Sequence, residues 1–524
     1  VMYHYVILSL FTFKDCSGLI VYPKLLESRA DGGRLTLHVH AGLTLTLEKS
    51  SILANDLHFV SSSFGDSSTT ILNGPDLERN LYHDATHMSS LIVERVGDGL
   101  EVRGILRGRY RISPLVASSS GDEGNPHTVE EIQDTPPSDS EGDSADDTDE
   151  SDTLACSSSL FERPKVAWRA VHNFTAEVCF VVTKNYTAAF NSSEDLVQYI
   201  GAMMNWAQFP YTDMESPAIC FQVNQVVVVE DHFIFWNKSC GPSTDGRKYT
   251  LGAEVCGYDA IATINNTVDY MNLCVAASCD IVFHLTSEEL TLNMSGVFRT
   301  EVLGMTTIGG ICSWWKVAVG EDYPHTYNGR VTLAHEIGHL LGCDHDGCPT
   351  SPNCSSLHGN LMSHSDKGMQ NKSKLSECCK ERIRGLVSTL PESCLYVNTT
   401  ASFPNGLHPG ENMSREEFCT LMHPDVQAVP VSEKDALECE ISCGWNETDE
   451  TYNYEYIEEE DSTTTESTTE YYEQKNYDVS HRHDLLDGMA CRENKTCYRG
   501  ICDNHNWTEI KLNYTTFRAF TEIQ

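Results

Sequence analysis

The 524-residue sequence predicts an α+β protein. A twisted mixed sheet with helices is preceded by a β-rich segment and followed by a small disulfide-rich domain. Three observations predict this. From Val166 to Val397, strand-like and helical runs alternate. From Leu19 to Ser118, apolar and polar residues alternate with the period of a half-buried strand, and no cysteine occurs. Near the end, Cys491, Cys497 and Cys502 crowd into CRENKTCYRGIC, the density of a disulfide-stapled module.

Taken in order, Tyr5 to Phe13 reads YVILSLFTF, an apolar run too short to span a bilayer. The small residues Cys16, Ser17 and Gly18 follow it, so residues 1–18 read as a signal peptide. Cleavage there removes one of 21 cysteines and leaves an even number. Residues 19–118 are the β-rich segment, with LTLHVHAGLTLTLEK and SLIVERVGDGLEVRGILRGRYRI as alternating runs and Gly-Asp-Gly as a hairpin turn. Residues 119–163 read as an acidic, disordered linker. Their first part is acidic, lacks Lys and Arg and has too few aliphatic side chains to offset chain entropy.

Residues 164–398 carry the α+β pattern. TAEVCFVVT, ICFQVNQVVVVED and CDIVFHLT read as strands; SSEDLVQYIGAMMNWAQF, with an N-cap serine, TVDYMNLCVAAS and LSECCKERIRGLVSTL read as helices. Residues 399–446 form a cysteine-containing segment, 447–478 an acidic linker rich in Tyr and Thr, and 479–524 the Cys-rich tail.

The net charge of -40 argues against nucleic acid or an anionic membrane as the main partner, because phosphates would repel it. No later run is long enough for a membrane-spanning helix. Irregularly spaced cysteines suit disulfides in an oxidising compartment. Fourteen Asn-x-Ser/Thr sequons, from Asn173 to Asn513, agree. The chain reads as secreted and extracellular.

The chemistry concentrates in Leu333 to Asp346, LAHEIGHLLGCDHD. His335 and His339 are four residues apart, so on a helix they share a face and both imidazoles can reach one ion. Glu336 projects beside the ion as the general base toward the water the metal polarises. Gly342 tolerates the positive φ that turns the chain out of the helix and brings back His345 as third ligand. Three protein ligands leave one position open, the catalytic rather than the structural pattern for zinc. Met362, in HGNLMSH, lies downstream in a tight turn and is positioned to form an apolar floor under the metal.

These residues resemble the metzincin metalloproteases, in their reprolysin or ADAM-like branch, which Asp346 directly after the third histidine marks. GMTTIGGICSWWKVAVGED resembles that family's substrate-binding edge strand and the loop after it, and LSECCKERI its C-terminal helix. LIVYPKLLESR, LTLHVHAGLTLTLEKSSILA and DGMACRENKTCYRGIC resemble the propeptide and Cys-rich domain of the tick salivary-gland metalloproteases. The resemblance implies a metzincin-type catalytic domain, one catalytic Zn2+ and hydrolysis of extracellular proteins. Matrix or clotting proteins such as fibrinogen are the implied substrates, cleaved to keep blood flowing at a feeding site. A structural Ca2+ is compatible with such a domain, but no residue here assigns it. Substrate would pair as an added strand along Thr306, Thr307, Ile308, Gly309 and Gly310, the glycines allowing close backbone approach.

For latency, Cys156 is the cysteine left upstream to cap the zinc, although DTLACSSSL lacks the family's inhibitory motif. The catalytic segment holds an odd number of cysteines, so one of them must pair outside it or stay free. Arg107, Arg109 and Arg111 form a basic cluster that the strand pattern partly buries. Tyr452, Tyr454, Tyr456, Tyr471, Tyr472 and Tyr477 stand among Asp and Glu, a pattern open to sulfation and to docking on basic surfaces of clotting proteins. An alternative reading is a catalytically weak antagonist acting through the acidic, Tyr-rich and Cys-rich C-terminal region; the intact His and Glu set argues against it.

Overall fold

The computed structural model describes residues 18–507, apart from 27–34, 116–124, 134–168, 398–412, 432–438, 456–468 and shorter interruptions. Residues 1–17 of the expected signal peptide, most of the expected acidic linker, Cys16 and Cys156 lie outside the described residues. Val1–Tyr22 and Glu48–Pro404, with Asn513–Gln524, make one compact unit; Pro23–Leu47 and Asn405–Leu512 make the other.

Eleven strands come first: β1 (Leu19–Val21), β2 (Lys24–Leu26), β3 (Leu35–His40), β4 (Leu43–Lys49), β5 (Leu53–Ser63), β6 (Asp66–Asn73), β7 (Leu81–Asp84), β8 (Ser89–Val96), β9 (Gly99–Leu106), β10 (Tyr110–Pro114) and β11 (His127–Glu131). In the first unit, β7 to β11 and β1 form an antiparallel run in the order β1-β11-β10-β9-β8-β7.

β11 overturns part of the linker expectation. It falls within residues 119–163, yet it pairs with both β1 and β10. Buried His127 explains it, because its Nε2 accepts from the Val102 amide at 2.9 Å. The acidic residues that suggested a linker find partners: Glu131 pairs with Arg109 at 2.6 Å and Glu130 with Arg111, which ties down most of the basic cluster.

The α+β core follows with β12 (Asn173–Thr183), α1 (Ser193–Ala207), β13 (Ala218–Val229), β14 (Ser239–Pro242), β15 (Glu254–Asp259), α2 (Ala260–Cys274), β16 (Ile281–Thr286), β17 (Leu290–Met294), β18 (Val297–Arg299), β19 (Gly304–Thr306), β20 (Val317–Glu321), α3 (Arg330–Leu340) and α4 (Glu377–Val387). Ser192 caps α1 as its side chain accepts from the Asp195 amide at 3.2 Å. β12 and β16 are buried on both faces, which is why they read as unbroken apolar runs. The main sheet runs β19-β20-β16-β12-β13-β5-β6. β5, β13, β12, β16 and β20 are parallel, and β19 and β6 close the edges antiparallel. A small sheet, β14-β15-β17-β18, stands beside it.

The N-terminal β-rich segment is therefore not a unit of its own. β5 pairs with β13 and satisfies backbone groups that would otherwise leave β13 an open edge. Ile52, Leu53, Leu81 and Ile105 share one hydrophobic core with Phe180, Met203, Val223 and Ile337. Residues 23–47 of the segment belong to the second unit instead.

That second unit holds β2, β3, most of β4, α5 (Arg415–Met422), β21 (Val429–Pro430), β22 (Glu440–Glu455), β23 (Thr469–Asp484), β24 (Ala490–Arg492), β25 (Lys495–Tyr498) and β26 (Ile501–Asp503). The expected linker 447–478 is replaced for much of its length by a hairpin. β22 and β23 pair from Glu440↔Asp484 to Glu455↔Thr469. Thr and Tyr favour extended chain, and that propensity prevails over the acidic charge. Tyr456 lies outside the described residues, as do the side chains of the other five tyrosines. Among the described residues no helix is long and apolar enough to cross a membrane.

Disulfides Cys179–Cys279, Cys240–Cys256, Cys312–Cys394, Cys343–Cys379 and Cys354–Cys378 staple the first unit. Cys419–Cys443, Cys439–Cys497 and Cys491–Cys502 staple the second. Among the described residues Cys220 is the free cysteine, a candidate for the odd thiol of the catalytic segment.

Because the core is shared, damage to the N-terminal segment must destabilise the α+β domain. Leu53→Ala is expected to cost roughly 3 kcal/mol, read as one lowered cooperative unfolding transition. An independent early transition, with the α+β domain unchanged, would contradict the shared core.

Candidate metal centre

α3 brings the first two histidines together. It starts after Gly329, whose amide donates to Asp322 Oδ1 at 2.9 Å. Asp322 is buried and also accepts from Tyr186 at 2.6 Å and Tyr199 at 2.8 Å, so three donors fix the helix start. Burial still pushes its carboxyl up to about 6. Arg330, in the first turn, is fully buried. Its Nε donates to the Gly108 carbonyl at 2.6 Å and its guanidinium lies 5.5 Å from the Trp206 ring.

Four residues apart on α3, His335 and His339 face the same way. His335 Nδ1 lies 2.9 Å from the Leu361 carbonyl oxygen and His339 Nδ1 lies 2.8 Å from that of Cys343. A carbonyl only accepts, so both Nδ1 atoms carry the proton and both Nε2 lone pairs point inward. The chain leaves the helix at Gly342, with φ of +96°. A side chain there would be strained, as the sequence predicts. The turn returns His345, whose Nε2 lies 3.1 Å from that of His335 and 3.2 Å from that of His339. A tetrahedral ion about 2.0–2.1 Å from each nitrogen asks for separations of about 3.3 Å, so the donor set fits zinc. Burial and the neighbouring His339 and His345 hold His335 well below its usual pKa, and burial lowers His339. Both of these rings are thus held toward the neutral form.

Glu336 follows His335 on α3 and is buried. Burial raises its carboxyl to about 8. Among the described residues nothing hydrogen-bonds to its buried Oε2. A carboxylate oxygen left bare in a dry site is suited to taking a proton.

Met362 is fully buried. A Cβ on Gly338 would come within 2.7 Å of its Sδ, so glycine there lets the thioether press against α3. Asp346 locks this turn. Its amide donates to the Met362 carbonyl at 3.0 Å, and its carboxylate accepts from Ser363 at 2.9 Å and Ser376 at 2.6 Å. Ser376 is also the N-cap of α4.

With this geometry in place, likeness to known proteins becomes informative. Residues 173–374 match the Reprolysin_5 family, described as metallo-peptidase family M12. Venom metalloproteinase BumaMPs1 of Olivierus martensii is 25% identical over 382 residues, 70% of this chain and 90% of that protein. Venom metalloproteinase antarease TserMP_A of Tityus serrulatus is 25% identical over 350 residues, 62% of this chain and 81% of that protein. A disintegrin and metalloproteinase with thrombospondin motifs 13 of Homo sapiens is 25% identical over 256 residues, 47% of this chain and 15% of that protein. Residues 173–374 form a reprolysin-like metallopeptidase domain. The chain is a metalloendopeptidase, similar over this domain to the venom and disintegrin-type metalloproteinases.

The metalloendopeptidase departs from the sequence reading at the edge strand. β19 covers Gly304–Thr306 and not Thr306 to Gly310. Thr307, Ile308, Gly309 and Gly310 turn instead against the end of α3, where the Gly309 amide donates to His339 O at 2.8 Å and the Gly310 amide to Thr307 O at 3.1 Å. A Cβ on Gly310 would meet the Trp315 carbonyl at 2.3 Å, so this glycine serves packing within the chain. Gly304 is the glycine beside Glu336, since a Cβ there would meet Glu336 Oε1 at 2.9 Å.

Sequence reasoning missed His364, whose ring lies 4.4 Å from that of His345. Its place two residues past Met362 was the available signal. It also missed Asp322 and Arg330, which no motif marks. Cys156 lies outside the described residues.

Asp346→Ala leaves two buried serine hydroxyls without their acceptor. A loss of roughly 2–4 kcal/mol in denaturant unfolding is expected.

Proposed function

We propose that this chain is a secreted zinc endopeptidase that cleaves extracellular proteins. One observation carries the reading: His345 Nε2 lies 3.1 Å from that of His335 and 3.2 Å from that of His339, beside a buried glutamate with a bare Oε2. His335, His339 and His345 would hold the ion. Bound there, zinc would supply Lewis-acid polarisation of the scissile carbonyl and of the attacking water. Glu336 Oε2 accepts the water's proton, and its raised carboxyl pKa suits passing that proton on to the leaving amine. The peptide substrate adds as a strand along the open edge of β19, which ends the sheet next to α3. Burial around the site excludes competing water and strengthens each charge interaction.

Secretion is supported by the disulfides, the sequons and the venom metalloproteinases among the relatives. On the resemblance to salivary metalloproteases, matrix proteins or fibrinogen are the substrates and slowed clotting is the outcome. Assembly into protein-docking complexes through the acidic hairpin belongs to the same proposal.

Glu336→Gln is expected to lower peptide hydrolysis 10²- to 10⁴-fold while metal content stays at the wild-type level. His335→Ala should lose both. Full proteolysis by Glu336→Gln, or by wild type stripped with a chelator, would refute the assignment. Fibrinogen and matrix proteins left intact by an enzyme active on other proteins would remove only the substrate proposal.

A further inference from the structure

The turn around Met362 also presents a side chain that the mechanism has not used. Its backbone is firmly held. The Leu361 amide donates to the Lys374 carbonyl at 2.9 Å, and the Ser363 amide to that of Asn360 at 2.9 Å. The Met362 carbonyl receives the Asp346 amide, and the Ser363 hydroxyl donates to the Asp346 carboxylate. Lys372 Nζ donates to the Ser363 carbonyl at 2.6 Å. Leu361, Met362 and Ser363 are all buried. His364 comes next, and it is exposed.

The His364 ring lies 4.4 Å from that of His345, tilted by 49°. It is not a further ligand. The ligand atoms of His335, His339 and His345 gather within 4.8 Å of one another, and His364 stays outside that group. An imidazole just beyond the ligands, on fixed backbone and open to solvent, is placed to meet what the ion binds rather than the ion itself. Peptide hydrolysis has a use for such a group. As water attacks, the scissile carbonyl oxygen gains negative charge. An N–H donor already in position stabilises that charge without reorganising. Glu336 cannot serve, because a carboxylate only accepts. The Nδ1 protons of His335 and His339 are committed to the carbonyls of Leu361 and Cys343.

We propose that His364 is a catalytic residue that donates a hydrogen bond to the scissile carbonyl oxygen as the tetrahedral species forms. This rests on the zinc endopeptidase reading above. A neutral imidazole carries one N–H, so the donation needs no change of charge. No proton leaves His364; the proton of the attacking water still goes to Glu336. The contact strengthens as charge develops on the oxygen, so it acts on turnover more than on substrate binding. The competing account is packing, in which the ring does no more than cover His345. Packing explains the 4.4 Å contact. It gives no reason for so many hydrogen bonds to the three residues before an exposed side chain.

Two substitutions separate these accounts. His364→Phe keeps a ring against His345 and removes the donor. His364→Gln removes the ring and restores an N–H donor. Three quantities are measured on the zinc-loaded full chain: zinc content, kcat and KM for a peptide, and calorimetric binding of a phosphinic peptide. The tetrahedral, charged phosphinate imitates the transition state. His364→Phe is expected to keep its zinc and to lose roughly 10- to 100-fold in kcat, with KM within about twofold of wild type. It should bind the phosphinic peptide more weakly by the same factor, and His364→Gln should recover part of both losses. If His364→Phe misfolds, His364→Ala is read in the same way. Wild-type kcat and phosphinic affinity in His364→Phe would overturn the proposal and leave packing as the explanation. Loss of zinc from His364→Phe would overturn it too, because the side chain would then serve the metal. A zinc-loaded wild type that cleaves no peptide would sink the endopeptidase reading and this proposal together. A wild type that needs Glu336 but not His364 would sink this proposal alone.

Discussion

Three imidazole lone pairs must face one point inside a dry pocket, and the protein has to hold them there. This constraint organises the metallopeptidase domain. Two of the rings are oriented by backbone carbonyls, those of Leu361 and Cys343. Each carbonyl belongs to a segment that is itself tied elsewhere. Leu361 precedes Met362, whose carbonyl receives the Asp346 amide. Cys343 is bonded to Cys379 on α4, so a covalent clamp lies inside the loop that returns His345. Closing a loop of 36 residues is worth about 4 kcal/mol in the chain-entropy view. The larger effect is geometric, because the clamp removes the freedom that would let His345 swing away.

The same requirement explains why α3 is buried so completely. A helix that presents histidines to a metal carries little apolar pattern of its own and relies on its surroundings. Asp322 fixes its start, Tyr211 donates to the Ala334 carbonyl at 2.7 Å, and Arg330 reaches the backbone at Gly108. The last contact comes from the N-terminal β-rich segment. That segment also gives β5 to the main sheet and side chains to its core. In this form of the chain, the segment is part of the scaffold that positions the catalytic helix and not an appendage to it.

Charge is handled locally. The net -40 does not mean acidic surfaces everywhere. Buried Lys248 sits between Glu289 at 2.8 Å and Glu321 at 2.5 Å, and Arg103 joins Glu94 to Asp195. Where acidic residues can find such partners or a strand to join, they become structure, as β11 shows.

The sequence by itself determined the chemistry and the elements that carry it. HEIGHLLGCDHD sets ligand spacing on a helix and the turn after it, both short-range properties of the chain. The N-cap of α1 and the apolar runs of β12 and β16 were legible for the same reason. Only the tertiary structure decided which strand edges meet. Nothing local in LANDLHFVSSS says that it adds to β13. Nothing local in Thr306–Gly310 says that the chain turns against His339 after three strand residues. Nothing local in Asp322 or Arg330 marks their part in the site until distant segments surround them. Strand pairing and burial are settled by long-range packing, where open edges and unpaired polar groups are costly. Ligand spacing on one helix is settled by the geometry of the backbone alone.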